Sequence, residues 1–178
     1  MKKVASLMIA AGTLFAASAM AADLKSAVES PDAKAILKKD ALPGPTKFTM
    51  PKGCITTDKT AIARGAYFFH NLNGKKAKET PPQGLAKETA DGKPKQFGNC
   101  VACHNIEKAK GPGNIGPDLT NYKKFFIDTQ VRTPEWIYQK VADARIDVPN
   151  THMTINLTNG LMTEQEICEI VSYIISQK

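Results

Sequence analysis

The chain has 178 residues, of which 42% are hydrophobic and 23% charged, and its formal net charge is +7. The length suits one domain of ordinary size plus a tail. The positive charge does not indicate a nucleic-acid-binding protein, because the lysines are not interleaved with aromatic residues on a helix. It favours either a lysine-rich solvated surface or electrostatic attraction to an acidic protein partner, which acts on association rate more than on affinity.

The first residues have the pattern of a secretory signal peptide. Lys2 and Lys3 form a charged start, residues 4–19 an apolar run, and residues 19–21 an Ala-Met-Ala cleavage site. The run is too short to span a bilayer, and no later stretch approaches the roughly 20 apolar residues that a span needs. We therefore expect a signal peptide at 1–21 and a periplasmic protein outside the membrane. The alternative is an uncleaved anchor helix.

Residues 22–53 are rich in proline and read as an N-terminal extension, with a possible short helix around 32–39. We expect the ordered domain to occupy residues 54–178. Its first helix should follow Asp58 as the N-cap and contain Gly65, a residue that costs about 1 kcal/mol in mid-helix and usually admits a close neighbour. Residues 71–97 then form a long surface loop.

Two further helices are predicted near the end of the chain. One begins at residues 133–135, Thr-Pro-Glu, with threonine as the N-cap and proline in the first turn. The last begins at Thr163, which forms a capping box with Glu166, while Met162 and Ile167 are placed as a hydrophobic staple. Its apolar stripe continues to residue 175, so this helix should pack on the domain core.

Residues 100–104 read Cys-Val-Ala-Cys-His, the spacing of a covalent c-type haem. Cys100 and Cys103 are placed to add across the two vinyl groups of one haem, and His104 is placed to be the proximal ligand of the iron. A zinc site would require a second pair of ligands, and a redox dithiol a βαβ context, and neither is apparent. We therefore expect one covalently attached haem c.

The sixth iron ligand has several candidates: Met50, His70, His152, Met153 and Met162. The staple explains Met162, nothing in the proline-rich extension fixes Met50, and His70 ends a helix, where an imidazolium suits the helix dipole. His152 and Met153 lie in a polar loop without periodicity. Methionine and histidine both serve as axial ligands, and we favour Met153 over His152.

Two cysteines remain after haem attachment, Cys54 and Cys168. In an oxidising compartment two such thiols most simply form a disulfide. The alternatives are two separate buried thiols, or a bond from one of them to another subunit.

Taken together, these features resemble the class I cytochrome c fold over residues 54–178, which implies an all-α domain wrapped around one haem. The resemblance rests on the Cys100–His104 motif, the Gly-Pro-Asp-Leu string at 116–119, a late loop methionine and a final amphipathic helix. It implies that the first and last helices cross at Gly65, Phe69 and Tyr173, which would bring Cys54 towards Cys168. The Pro117 carbonyl is placed to accept a hydrogen bond from His104 Nδ1, a contact that would fix the ring.

Longer strings resemble the SoxX family, the monohaem subunits of SoxAX cytochrome complexes of sulfur oxidation. They are Gly-Asn-Cys-Val-Ala-Cys-His at 98–104, Gly-Asn-Ile-Gly-Pro at 113–117, Arg-Ile at 145–146 and Pro-Asn-Thr-His-Met at 149–153. The stretch 71–96 is longer than in that family, and Thr154 stands where a proline often follows the methionine. The resemblance implies haem on Cys100 and Cys103, with His104 and Met153 as axial ligands.

That resemblance also implies a function and partners. A SoxAX complex is an L-cysteine S-thiosulfotransferase, which couples thiosulfate to a cysteine of a sulfur-carrier protein and releases two electrons. The SoxA-type subunit would carry the catalytic residues, while this chain would pass electrons to a downstream c-type cytochrome. The alternatives are a free-standing electron-shuttle cytochrome, and a haem enzyme or gas sensor with an open iron site.

Overall fold

The computed structural model describes residues 42–177. The predicted signal peptide, the possible helix around 32–39 and most of the predicted extension lie outside this range. Residues 42–177 form three α-helices: α1 (Lys59–His70), α2 (Pro134–Ala142) and α3 (Glu164–Ser176). Short turns of 3₁₀ helix cover Cys100–Ala102 and Ala144–Ile146, and one π-helical turn covers Lys123–Ile127. Within the described range there is no strand beyond isolated bridges, so the fold there is all-α, consistent with the predicted class I cytochrome c architecture.

The three helices begin where their capping residues predict. Asp58 accepts a hydrogen bond from the Ala61 amide at 2.8 Å, and Thr133 from the Trp136 amide at 3.3 Å. At α3 both halves of the capping box form between Thr163 and Glu166. These side chains satisfy amide groups that have no partner inside the helix, which fixes each start. No helix in residues 42–177 combines the length and apolar character needed to cross a bilayer.

Helices α1 and α3 cross at Gly65, as expected. A Cβ atom on Gly65 would lie only 1.9 Å from the Glu169 carbonyl oxygen, so no larger residue fits without moving a helix. One turn further on, the Phe69 and Tyr173 rings pack edge to face with centroids 5.6 Å apart. Glycine thus brings the two backbones together, and the aromatic pair fills the space beside them.

Cys54 and Cys168 form a disulfide that joins the segment before α1 to α3. The predicted intramolecular bond is thus confirmed. Ser172 reinforces the junction, because its Oγ accepts from the Thr56 amide at 3.1 Å and donates to the Cys54 carbonyl at 3.3 Å. The free cysteines of residues 42–177 are Cys100 and Cys103, the pair that the haem motif contains.

The long loop at 71–97 is packed onto the helices. An antiparallel bridge between Asn73 and Gln96 closes its base. Phe97 is buried there, with its ring 5.3 Å from that of Tyr67 and 5.7 Å from that of Phe68. The loop therefore extends the core around α1 and leads directly into the Cys100 turn.

The chain is already bound to the domain from Pro43, ahead of the expected start at residue 54. Gln139 of α2 accepts from the Phe48 amide at 2.7 Å and donates to the Thr46 carbonyl at 3.0 Å. Arg145 donates to the Pro43 carbonyl at 2.7 Å. Residues 42–53 thus belong to the same compact unit as the helices. We call residues 43–48 the strap, because they lie against the end of α2.

Candidate haem site

The two cysteines of the motif and its histidine lie on one tight turn. Asn99 precedes the turn in the left-handed conformation, with φ of 48°. The amides of Cys103 and His104 then donate to the Cys100 carbonyl at 3.0 and 2.9 Å. These backbone bonds set the spacing of the two cysteines and the histidine.

Two glycines allow the turn to pack closely. A Cβ on Gly98 would lie 3.0 Å from Cys100 Sγ and 3.1 Å from Met162 Cε. A Cβ on Gly113 would lie 1.9 Å from the Ala102 carbonyl oxygen, because residue 113 folds back onto the turn. Gly113 is therefore required by a backbone contact beside the cysteines, while Gly98 allows a close but less strict approach.

His104 is held in one orientation from two sides. Its Nδ1 lies 2.8 Å from the Pro117 carbonyl oxygen, which confirms the predicted contact. A carbonyl oxygen only accepts, so Nδ1 carries the proton and Nε2 is left with a lone pair. A Cβ on Gly116 would lie 2.4 Å from the ring, so glycine is what admits the imidazole at this position. The arrangement presents Nε2 as a metal ligand.

The segments on either side of His104 are joined by hydrogen bonds. The Gly116 amide donates to the Cys103 carbonyl at 2.9 Å, and the Leu119 amide to the Asn105 carbonyl at 2.8 Å. Asn105 Nδ2 adds a bond to Asp118 at 2.9 Å. Hydrogen bonds therefore hold residues 100–119 together around the imidazole.

Met153, the favoured sixth ligand, lies on a separate loop. Its side chain is partly buried against the apolar core, and its amide donates to Thr151 Oγ1 at 3.0 Å. Within residues 42–177 no hydrogen bond links this loop to the segment that carries His104. The structure thus places the two candidate ligands on independent supports, and their pairing across an iron atom stays a prediction.

The other candidates for the sixth position have different surroundings. Met162 is buried beside Cys100, in the predicted staple position before α3, and Met50 packs against the core from the proline-rich segment. His152 is exposed. His70 Nε2 lies 2.8 Å from the Tyr173 hydroxyl, which occupies that nitrogen. Our reason for setting His70 aside was wrong: burial lowers the pKa of His70, so the folded state disfavours the imidazolium.

The alternatives of a zinc site and a redox dithiol find no support in the described residues. No group of three or more His, Cys, Asp or Glu side chains in residues 42–177 is arranged to hold a metal ion. Burial raises the pKa of the Cys100 thiol to about 12, whereas a reactive dithiol needs a readily formed thiolate.

Two buried polar atoms in this half of the domain have no protein partner. Tyr138 on α2 is fully buried, its hydroxyl has no hydrogen-bond partner, and burial raises its pKa to about 12. Asn156 Oδ1, three residues beyond Met153, is also buried and unpartnered. Buried polar groups in proteins are nearly always satisfied, so these two fit an interior completed by a further polar group. Sequence pattern does not reveal either atom, since Tyr138 lies on the apolar face of α2 and Asn156 in an irregular loop.

Exposed apolar side chains stand on both segments that carry candidate ligands. Ile115, beside Gly116, is 72% exposed, and Val148, in the loop that leads to Met153, is 50% exposed. An apolar cofactor bound between these two segments would cover such side chains.

The cytochrome c family model matches residues 89–178, half of the chain, including the turn, the His104 segment, α2 and α3. The chain belongs to the cytochrome c family. A cytochrome c domain implies covalently bound haem c, which supplies one-electron chemistry at its iron when bound. The residues present here fit that group, with two free cysteines at attachment spacing and an imidazole whose Nε2 is presented.

A curated relative is also similar to part of this chain. It is an uncharacterized lipoprotein of Aquifex aeolicus (strain VF5), 36% identical over 78 residues. The aligned region covers 43% of this chain and 35% of the relative. This chain therefore spans about a third of the relative's length, and the similarity concerns a domain.

Proposed function

We propose that this electron-transfer c-type cytochrome carries one haem c on Cys100 and Cys103, with His104 and Met153 as axial ligands. The observation that carries the proposal is the geometry of His104. Its Nδ1 is committed to the Pro117 carbonyl, Gly116 makes room for its ring, and Nε2 carries the lone pair. A proximal ligand needs this orientation, and the contact to a carbonyl also raises the basicity of the imidazole.

Met153 is the better candidate for the opposite side. It lies on a loop that is joined to α2 through Asn156, whose Nδ2 donates to the Val141 carbonyl and whose buried Oδ1 has no partner. Met162, its main rival, is buried directly before the N-cap of α3 and lies against Gly98. A thioether ligand favours ferrous iron, raises the potential and closes the site to small ligands, which suits electron transfer.

We further propose that the chain is the SoxX-type subunit of a SoxAX-like complex. Support comes from the strings at 98–104 and 113–117, because Gly113 and Gly116 of the second string admit the Ala102 carbonyl and the His104 ring at close range. Arg145, part of a third string, anchors the strap through its bonds to the Pro43 and Gly44 carbonyls. These residues extend the resemblance beyond the bare haem motif to the structural frame around it.

In that role the sulfur chemistry belongs to the partner subunit. Forming a cysteine S-thiosulfonate joins a carrier thiolate to thiosulfate through a new sulfur–sulfur bond and releases two electrons. This chain offers no thiolate for the step, because Cys54 and Cys168 are bonded to each other, and Cys100 and Cys103 are committed to haem. We assign it the receipt of those electrons, one at a time, and their transfer to a downstream c-type cytochrome.

Co-purification from the native source tests this assignment. We expect the chain to elute with a second c-type cytochrome, and its haem to become reduced when thiosulfate and the carrier protein are added to the pair. The isolated chain should show no such reduction. Elution alone would contradict the proposal and favour a free-standing electron shuttle. Ready binding of carbon monoxide to the ferrous form would favour an open-site haem enzyme or gas sensor.

We also propose that the mature protein resides in the periplasm, after removal of residues 1–21. Support comes from the disulfide between Cys54 and Cys168, because such bonds form and persist in oxidising compartments. Intact-mass measurement of the secreted holoprotein is the test. The expected mass corresponds to a chain that starts at Ala22 and carries one haem, and retention of residues 1–21 would contradict cleavage.

A further inference from the structure

A buried carboxylate outside the haem motif organises the region around Met153. Asp143 follows α2 directly and is fully buried. It accepts five hydrogen bonds. The Arg145 guanidinium donates from Nε at 2.9 Å and from Nη2 at 2.7 Å, and the Arg145 amide donates at 3.1 Å. The Thr158 hydroxyl donates at 2.7 Å and the Thr46 amide at 3.2 Å.

These donors belong to three different parts of the chain. Arg145 lies on the segment that leaves α2 towards Met153, Thr158 lies on the segment that returns from Met153, and Thr46 lies on the strap. Arg145 also donates to the carbonyls of Pro43 at 2.7 Å and Gly44 at 3.3 Å. One carboxylate therefore joins both ends of the Met153 loop and the strap that covers them.

The backbone around Asp143 closes the same loop. On the returning side, the Asn156 amide donates to the Ala142 carbonyl at 3.1 Å, and Asn156 Nδ2 donates to the Val141 carbonyl at 2.7 Å. On the outgoing side, the Val148 amide donates to the Ala144 carbonyl at 3.1 Å. Both ends of the loop that carries Met153 are thus hydrogen-bonded to residues 141–144.

A buried charge at this place is not explained by stability alone. A buried ion pair often adds no more stability than apolar side chains of the same size would, because both charges must leave water. The pair instead fixes the relative positions of the segments that it joins, because each oxygen of Asp143 accepts from donors at fixed positions. The Arg145 guanidinium beside Asp143 holds the pKa of that carboxyl far below its usual range, so the anion persists in the folded protein.

We propose that Asp143 is the positioning residue for Met153, and that it keeps the thioether on the haem iron by holding the base of the loop shut. The inference rests on the proposed ligation by Met153. Asp143 itself touches no iron ligand; it acts through Thr158 and Arg145. When the base opens, Met153 leaves and the sixth position becomes open to an external ligand.

The test is imidazole binding to the ferric holoprotein, together with the far-red absorption band of a sulfur–iron bond. In Asp143→Asn an amide nitrogen replaces a carboxylate oxygen. This nitrogen is itself a donor, so it cannot accept the hydrogen bonds that the oxygen accepts. We expect a weaker far-red band and imidazole binding tightened about tenfold or more, the shift expected when a charge-assisted hydrogen bond is lost. Thr158→Val removes only the bond from the returning segment and should cause a smaller change in the same direction.

Glu169→Gln is the matched control. Glu169 is also a buried carboxylate with an arginine partner, Arg64, whose Nε lies 3.0 Å from it, but it sits at the crossing of α1 and α3, away from the Met153 loop. This variant should lower the unfolding temperature and leave the far-red band and imidazole affinity unchanged. A purely structural role for Asp143 predicts the same result for Asp143→Asn, which would overturn the inference.

Met153→Ala separates the inference from the ligand assignment. If this variant loses the band while Asp143→Asn and Thr158→Val both keep it and bind imidazole as the wild type does, the positioning role is wrong and Met153 remains the ligand. If Met153→Ala keeps the band, the ligand assignment is wrong and the positioning role falls with it. If Asp143→Asn does not fold, Thr158→Val decides the question by the same two measurements.

Discussion

The helix crossing and the candidate haem site are held together by different interactions. At the crossing, α1 and α3 meet through Gly65, an aromatic pair and a disulfide, all of which are complete within the protein. At the site, short loops are held by hydrogen bonds, the apolar Ile115 and Val148 side chains are exposed, and the buried Asn156 Oδ1 has no partner. The crossing stabilises the fold independently, whereas the site is built to be completed by a cofactor. Changes at the crossing should therefore alter stability more than the haem spectrum, and changes at the site should do the reverse.

Removing the disulfide should have the largest effect on stability. The bond closes a loop across 114 positions of sequence, and the double variant Cys54→Ala with Cys168→Ala should lose about 4–5 kcal/mol of unfolding free energy in the chain-entropy account. Denaturant unfolding of the holoprotein measures the loss. The haem spectrum of the folded variant should match that of the wild type. A shifted far-red band would show that the two regions are more tightly coupled than proposed.

Gly65→Ala should cause the next largest loss of stability. The added Cβ would lie 1.9 Å from the Glu169 carbonyl oxygen, so the helices must separate, at a cost of about 2–3 kcal/mol. Thermal unfolding provides the measurement. Gly44→Ala is the control, since no neighbouring atom lies within 4 Å of the added carbon. Equal unfolding temperatures for the two variants would contradict the close crossing.

Gly116→Ala should alter the haem spectrum more than it alters stability. Its Cβ would lie 2.4 Å from the His104 ring, a side chain that can tilt, so we expect a smaller stability loss of about 1–2 kcal/mol. Tilting the ring disturbs the bond to Pro117 and therefore the proximal ligand. Paramagnetic resonance of the ferric form should show altered axial ligation. A spectrum identical to that of the wild type, alongside a stability loss as large as that of Gly65→Ala, would remove the distinction between the two regions.

Replacing His70 should have the smallest effect, and this effect should be detectable only in the pH dependence of stability. Burial lowers the pKa of His70 below the value of about 6.5 that it has in the unfolded chain, so the unfolded chain binds this proton more readily. Its contribution is a penalty that is absent above about pH 6.5, grows as the pH falls from there to the lowered folded value, and is constant below that value. His70→Gln should flatten the decline in unfolding temperature between pH 7.5 and pH 5. Parallel curves for variant and wild type would contradict this assignment.

The features that sequence predicted well are those set by local pattern or by a single contact. Asp58, Thr133 and Thr163 each cap a helix by bonding an amide two or three positions ahead, and such signals are readable within one turn. The haem turn is equally local. The crossing at Gly65 and the disulfide followed from the fold resemblance, because that fold pairs the first and last helices.

The features that sequence did not predict depend on contacts between distant segments. Asp143 reads as an ordinary polar residue after a helix, and only the fold brings Thr46 and Thr158 to it. The strap was assigned to an extension because proline-rich sequence gives no sign of its bonds to Gln139. The loop at 71–97 lacks hydrophobic periodicity, although Phe97 anchors it in the core. In each case the energy comes from long-range hydrogen bonds or from one buried ring, which leave no periodic trace.

The central claim is that His104 and Met153 close the haem iron from two independent supports, and absorption spectroscopy of the ferric holoprotein tests it most directly. The account predicts a far-red sulfur-to-iron band in the wild type and its loss in Met153→Ala, with the covalent haem retained on Cys100 and Cys103. A band that persists in Met153→Ala would contradict the claim, and would place Met162 on the iron if Met162→Ala then removed it.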